Sequence, residues 1–220
     1  MPRPSTKTLR NRLIGAGLLV ILVVAMVANT KFLTPDEVAA IAPKPFDPAA
    51  TAADLFAKAK KELPAKAQPL SEVVVATQSN VKTAATKYKA VSPSEGAYVF
   101  PVTTTATVTE ASDSALTLKV DGVPSETRIV VPLSTAVNGT VVRDVMGFKF
   151  ADAPGQTDYQ YVGDELKKLM LNELNNSIDD PKTLQGKKVT VLGAVNVQAI
   201  GDAEPRAKPV NVQPITVKVG

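Results

Sequence analysis

The stretch Tyr98–Val120, YVFPVTTTATVTEASDSALTLKV, decides how this chain is read. Tyr98, Phe100, Val102, Thr104, Ala106 and Val108 recur with period two, and Val99, Thr103, Thr105, Thr107 and Thr109 fill alternate positions. Successive side chains of a strand point to opposite faces, so this is a long strand with one apolar face and one wetter, threonine-rich face. Residues 111–114, ASDS, make a turn. Leu116, Leu118 and Val120 mark a second strand, Asp121-Gly122 a second turn, and Ile129, Val131 and Leu133 a third strand. The region is a meander of hairpins.

Downstream the period becomes helical. Val162, Leu166, Leu169, Met170 and Leu174 predict an amphipathic helix over about 158–176. Two further strands follow, Lys188 to Val197 after the turn-like Gln185-Gly186, and Asn211 to Val219, where Pro214 argues for an edge or a bulge. Three strands, a helix and two strands is the element order of an OB-fold. The fold class expected is α+β: an N-terminal transmembrane helix, then helices and, over 93–220, an OB-like five-stranded antiparallel barrel with a helix between strands 3 and 4. Another small α+β sandwich or open barrel shares that order.

Upstream, 49–92 reads as a helical extension. Asp47 followed by Pro48 starts a helix over about 48–63, with Leu55, Phe56, Ala59 and Leu63 on one face. Pro64 and Pro69 are expected to break the chain, and Ser71 to cap a second helix carrying Val74, Val81, Ala85 and Tyr88. Residues 34–48, TPDEVAAIAPKPFDP, carry four prolines and no strong periodicity. They predict that the linker, 31–48, is a stiff, partly extended spacer.

Residues 13–30, LIGAGLLVILVVAMVANT, contain no charge. As a helix they would extend about 27 Å, close to the thickness of a bilayer's hydrocarbon core. Leu13, Leu18, Leu19, Ile21, Leu22 and Val24 are the anchor residues expected to meet lipid. Arg3, Lys7, Arg10 and Arg12 precede this run, in a basic tail at 1–12, whereas only Lys31 follows closely. The positive-inside rule then predicts a single-pass protein of the cytoplasmic membrane, with its N-terminus inside and its domain outside. A cleaved signal peptide is the rival reading, but cleavage after Ala28 would put Met26 where a small residue is usual.

That tail also explains the net charge of +4. The rest of the chain holds 21 basic residues, the 25 of the whole less those four, against 21 acidic ones. A neutral domain lacks the counterion release that drives binding to phosphate backbones, so no nucleic acid is expected as a partner. The chain has no cysteine and no histidine, which removes thiolate nucleophiles, disulfides, imidazole bases and thiolate zinc sites.

The segment Gly139–Phe150, GTVVRDVMGFKF, is the densest candidate for function and is expected to join strand to helix. Gly139, Thr140, Arg143, Asp144 and Phe148 are the ligand or partner contacts it offers. Arg143 and Asp144 could bind a carboxylate, or pair with each other or with neighbours. Adjacent residues do not face each other on a helix, so separate partners are expected, with Arg143 more readily a buried or half-buried structural clamp on backbone carbonyls or an acid. Asp152, Asp158, Asp164 and Glu165 fit capping of the long helix. DAPGQTD lacks the alternating acids of a calcium loop, so neither metal nor cofactor is expected, nor any catalytic residue. Tyr98, Phe100, Phe148, Phe150, Tyr159 and Tyr161 have only Lys149 interleaved, which favours core packing over a base-stacking platform.

FDPAA at 46–50, GAYVFPV at 96–102, GTVVRDVMGFKF at 139–150 and LQGKKVTVLGA at 184–194 together resemble the bacterial predicted periplasmic lipoproteins, domain of unknown function 2291. Members of that family are often encoded beside sugar ABC transporters, and the resemblance implies an accessory role in uptake. This chain departs from the lipoprotein label in having no cysteine to carry lipid, so the apolar segment is expected to replace it. The function expected is therefore a membrane-anchored, extracytoplasmic accessory or binding protein. Its partners would be the bilayer, through 13–30, and a solute-binding protein or sugar ABC transporter component. The alternatives are an envelope-carbohydrate-active enzyme using carboxylates, and a purely structural docking domain.

Overall fold

The computed structural model describes residues 6–31, 33–41, 45–199 and 209–220. It divides into two compact units, Met1–Pro45 and Phe46–Gly220. In the first, helix α1 spans Thr6–Asn29 and α2 spans Pro35–Ile41. The large apolar side chains of α1 from Ile14 to Val27 are exposed on every side. Among the described residues no helix is long and apolar enough to cross a membrane; the side chains of α1 are described only from Ile14 onward. Arg3 lies outside the described residues, and for Lys7, Arg10, Arg12 and Leu13 only the helical backbone is described. Within the proline-rich linker, Pro35–Ile41 is a helix and not extended chain. Its start is a reciprocal cap: Glu37 N–H donates to Thr34 Oγ1 at 3.3 Å, and Thr34 N–H donates to Glu37 Oε2 at 2.8 Å.

The second unit begins with α3, Pro48–Lys66, whose cap is Asp47, accepting from the N–H groups of Ala49 and Ala50. Ala52, Phe56, Ala59 and Leu63 form its buried stripe. Pro64 does not break it. A proline forfeits one hydrogen bond and crowds the carbonyl four residues back, and this one sits where the helix is about to end. A two-residue strand β1, Gln68–Pro69, leads into α4, Leu70–Ser79, and α5, Val81–Lys87. Ser71 is not the cap of α4, since the helix already includes Leu70. The expected single helix is broken at Asn80, which is extended and accepts from Thr83 N–H at 2.8 Å. Asn favours such capping over continued helix.

Strand β2, Val91–Ser94, precedes the long β3, Ala97–Ala111, followed by β4, Ala115–Lys119, and β5, Ile129–Pro132. Helices α6, Gly139–Val145, and α7, Gln156–Ser177, then lead to β6, Lys188–Gln198, and β7, Val210–Val219. The sheet runs β3–β4–β5–β7–β6 and closes because β6 also pairs with β3, from Ala97↔Gln198 to Thr107↔Lys188. This closed five-stranded barrel has an OB-fold's connectivity.

The barrel is not antiparallel throughout, as element order had predicted: β5 and β7 run parallel, with Ile129 opposite Val210. After the two helices β6 returns beside β3 and not beside β5. That leaves β7 to close the gap, and its direction follows. Pro214 sits at a bulge, where the pairing jumps from Leu192↔Thr216 to Gly193↔Pro214. In β3 the expected alternation holds over Thr105–Thr109, but Val99 to Val102 are buried on both faces. There β1 and β2 pair with β3, and α4 packs against it, so no wet side remains.

Candidate functional site

Strand β5 leaves the barrel at Pro132, and the chain must reverse before β6. It does so through the crossing of α6 and α7. Asn138 caps α6, its Oδ1 accepting from Thr140 N–H at 3.0 Å and from Thr140 Oγ1–H at 2.7 Å. The Asn138 N–H in turn donates to Oε1 of the buried Gln213 at 2.8 Å, which ties the helix start to β7. Gly139 is where the two helices touch. A Cβ there would run into Gly163 O and Lys167 N, both backbone atoms, and a Cβ on Gly163 would strike the Thr140 methyl group. Gly139 and Thr140 are thus packing residues of a close helix crossing.

One turn further on, α6 ends in a buried ion pair. Arg143 is 6% exposed and Asp144 9%. Contrary to the expectation of separate partners, they bind each other: Nε and Nη2 of Arg143 lie 2.9 and 2.8 Å from Asp144 Oδ1. The expectation considered where Cβ atoms point. An arginine stem is long enough to reach around the end of a seven-residue helix. The remaining contacts are made with α7. Arg143 Nη1 donates to the Tyr159 carbonyl at 3.0 Å, the guanidinium carbon sits 3.6 Å from the Tyr159 ring centroid, and Tyr159 O–H donates to Asp144 Oδ1 at 3.4 Å. Burial, reinforced by the Asp144 carboxylate, pushes the Tyr159 phenol above its ordinary pKa.

Two more rings complete the corner. Phe148 stacks on Tyr159 at 6.1 Å with planes 13° apart, and Phe150 meets the same ring edge-on at 5.7 Å and 75°. Gly147 makes this possible, since its φ of 78° turns the chain out of α6 in a conformation other residues adopt at a cost. The expectation that the aromatic set is core holds only in part. Phe100 is buried, but Phe148 and Tyr159 are half-buried and Phe150 and Tyr161 are exposed, Phe150 by 56%. The corner lies at the chain's emergence from a short helix, where the sequence offers too few residues for a period to show which side faces out.

Of the candidate contacts, Gly139, Thr140, Arg143, Asp144 and Phe148 all fall in this corner. Asp152 joins by accepting from Lys149 N–H at 2.7 Å, which caps a short 3-10 turn at Phe150–Asp152 and not α7. Sequence reasoning missed the roles of Tyr159 and Gly163. A glycine in the middle of an otherwise good helix is itself a signal of close approach. Both Arg143 and Asp144 are engaged internally, and the corner presents the rings of Phe150 and Tyr161 to solvent beside the exposed Lys149 and Asp152. Among the described residues there is no cluster of three or more metal-binding side chains.

Comparison with known proteins agrees with this architecture. The chain is similar to a crystal structure of an OB-fold protein from Thermotoga maritima MSB8, with a TM-score of 0.65 and 20% identity over 80% of this chain and 100% of that one. That similarity shows the fold alone. No curated protein matches the chain. Residues 19–218 match the family described as predicted periplasmic lipoprotein, with which an extracytoplasmic place in the cell envelope is consistent. The match takes in nearly the whole sequence, barrel and helical corner together, and the chain belongs to that family, domain of unknown function 2291.

Proposed function

We propose that this protein is a membrane-tethered extracytoplasmic binding module that holds an envelope protein against the aromatic corner of α6 and α7. The observation that carries the reading is Phe150. A phenylalanine 56% exposed, yet set edge-on against a tyrosine fixed by a buried ion pair, is a preorganised apolar anchor of the kind that concentrates energy at interfaces. Arg143 and Asp144 serve it from beneath by holding Tyr159. The tether is residues 13–30, an uncharged run whose described side chains are exposed on all sides of a helix. In a family described as predicted periplasmic lipoproteins, an apolar helix in a sequence without cysteine supports a protein anchor in the place of a lipid. The resemblance suggests as partner a solute-binding protein or a component of a sugar ABC transporter.

The test is site-specific photocrosslinking of the full-length protein in native membranes. With the photoreactive side chain at position 150, one envelope protein should be captured in strong excess over a control at Asp54, on the exposed side of α3. Equal capture at the two positions removes the proposed surface. Alkaline extraction checks the tether separately, since the full chain should stay with the membrane pellet and its release into the supernatant would end the anchor reading.

A further inference from the structure

A second feature, on the barrel wall, is independent of the aromatic corner. Thr107 of β3 stands opposite Lys119 on β4 and opposite Lys188 on β6. Residues paired across strands project from the same face, and the neighbours Ala106, Val108 and Val189 are buried inward, so these three point outward. Strands lie about 4.8 Å apart, which puts the two lysine backbones about 10 Å from each other with the threonine midway. Their four-carbon stems can close that gap from both sides. Thr105 and Asp121 help enclose a concavity of about 190 Å³ above the row. Thr105 Oγ1 lies 2.9 Å from the hydroxyl of Thr190, whose own partner on β7 is Lys218.

Lys119 and Lys188 form no ion pair among the described residues, as is true of most of the chain's lysines, and what sets these two apart is that they flank one hydroxyl in a shared concavity, with Asp121 close by. The walls hold no aromatic ring and little apolar surface, so nothing there suits the face of a sugar or a base. Two ammonium groups flanking a hydroxyl suit a compact tetrahedral oxyanion. An ammonium is a point charge that takes a phosphoryl oxygen from any direction, whereas planar carboxylates are matched better by an arginine fork.

We propose that Lys119, Thr107 and Lys188 form a phosphate-oxyanion site across three strands of the barrel, the ammonium groups gripping phosphoryl oxygens from either side and the Thr107 hydroxyl donating from below. Asp121 opposes the bound anion and weakens the site. A phosphate group could come from solution or from a lipid headgroup, and the two sources are separable with soluble probes.

The experiment uses the full-length protein in neutral detergent micelles and follows backbone amide shifts. Inorganic phosphate and glycerophosphoglycerol, the soluble headgroup of phosphatidylglycerol, are titrated separately against chloride of equal ionic strength. Saturable shifts at Thr105, Thr107, Lys119 and Lys188 are expected with at least one probe, and the tighter of the two identifies the source. K119Q/K188Q should weaken binding by about tenfold or more, the scale of about 1.4 kcal/mol. D121N should tighten it about twofold to fivefold, a change of sign that damage to the fold cannot imitate. All three positions are exposed, so melting temperatures should not move. No saturable shift beyond chloride, or equal binding by K119Q/K188Q and the parent, overturns the proposal.

Discussion

The barrel wall and the α6–α7 corner both bring backbone close to backbone, by opposite means. In the barrel, closure is spread over many interchangeable positions. Val99, Val102, Leu116, Ile129, Val131, Val189, Val191 and Val217 are all almost fully buried, and each contributes a similar apolar surface. In the corner, closure depends on particular atoms: the missing Cβ of Gly139, a guanidinium stacked on one ring, and a carboxylate oxygen shared among donors. Distributed packing tolerates substitution position by position, whereas a contact made by a unique group does not.

The largest expected effect follows from that contrast. Gly139→Ala places a methyl group against Gly163 O and Lys167 N, and neither atom can rotate away. The helices must part, loosening Leu166 and Val142, both buried without exposure. A loss of about 3 kcal/mol or more is expected. Ile129→Val, a trimmed methylene in the barrel, should cost only about 1 kcal/mol. Denaturant midpoints of the full-length protein measure both, and equal shifts would mean that the crossing is as forgiving as the wall.

A smaller but sharper effect is expected at the ion pair. Arg143→Met removes both bonds to Asp144 Oδ1 and leaves a carboxylate 9% exposed without its counterion, which should cost about 3 kcal/mol. Adding Asp144→Leu removes the stranded charge, and the double variant should recover more than half of that loss. The surface pair Arg128–Glu110, at a similar 2.7 Å on the barrel, is the comparison, and its cycle should show less than about 1 kcal/mol of coupling. If the two cycles agree, burial does not distinguish the corner from the wall.

The same difference governs what could be read in the sequence. Period-two alternation is imposed by every strand residue, so β3, β4, β5, β6 and β7 were legible, as was the long helix α7 between β5 and β6. Pro214 marked an edge or a bulge, because a proline cannot donate to the ladder, and only the pairing with β6 shows that it is a bulge. β1 has only two residues, β2 (VSPS) carries no alternating apolar side chains, and α6 has seven residues, too few for a helical period to emerge. The split at Asn80 required a side chain to choose capping over continuation, which is a local competition and not a pattern. The parallel pairing of β5 with β7 depends on where the chain returns after α7, and no local residue encodes that. For the corner, GTVVRDVMGFKF marked the place, but the arrangement of Arg143 around Tyr159 rests on a partner sixteen positions away.

The smallest effect separates the ring from its charge. Tyr159→Phe keeps the stacking of Arg143 and Phe148 and deletes one hydroxyl, whose bond to Asp144 is long at 3.4 Å, so at neutral pH the cost should be under about 1 kcal/mol. Alkaline pH is where the variant should differ. The native phenol is held above 10 by burial and by the Asp144 carboxylate, so the native state keeps a proton that the unfolded chain gives up at about 10. The stability this contributes is fully present below pH 10 and is lost as pH rises through the native value. Tyr159→Phe should therefore flatten the fall in melting temperature above pH 10, and it should remove a component of the phenolate absorbance that ionises above the ordinary tyrosine value. An unchanged alkaline slope would mean that the corner admits water to the ring as freely as an exposed strand does, and that the tyrosine is not held as the buried pair beneath it implies.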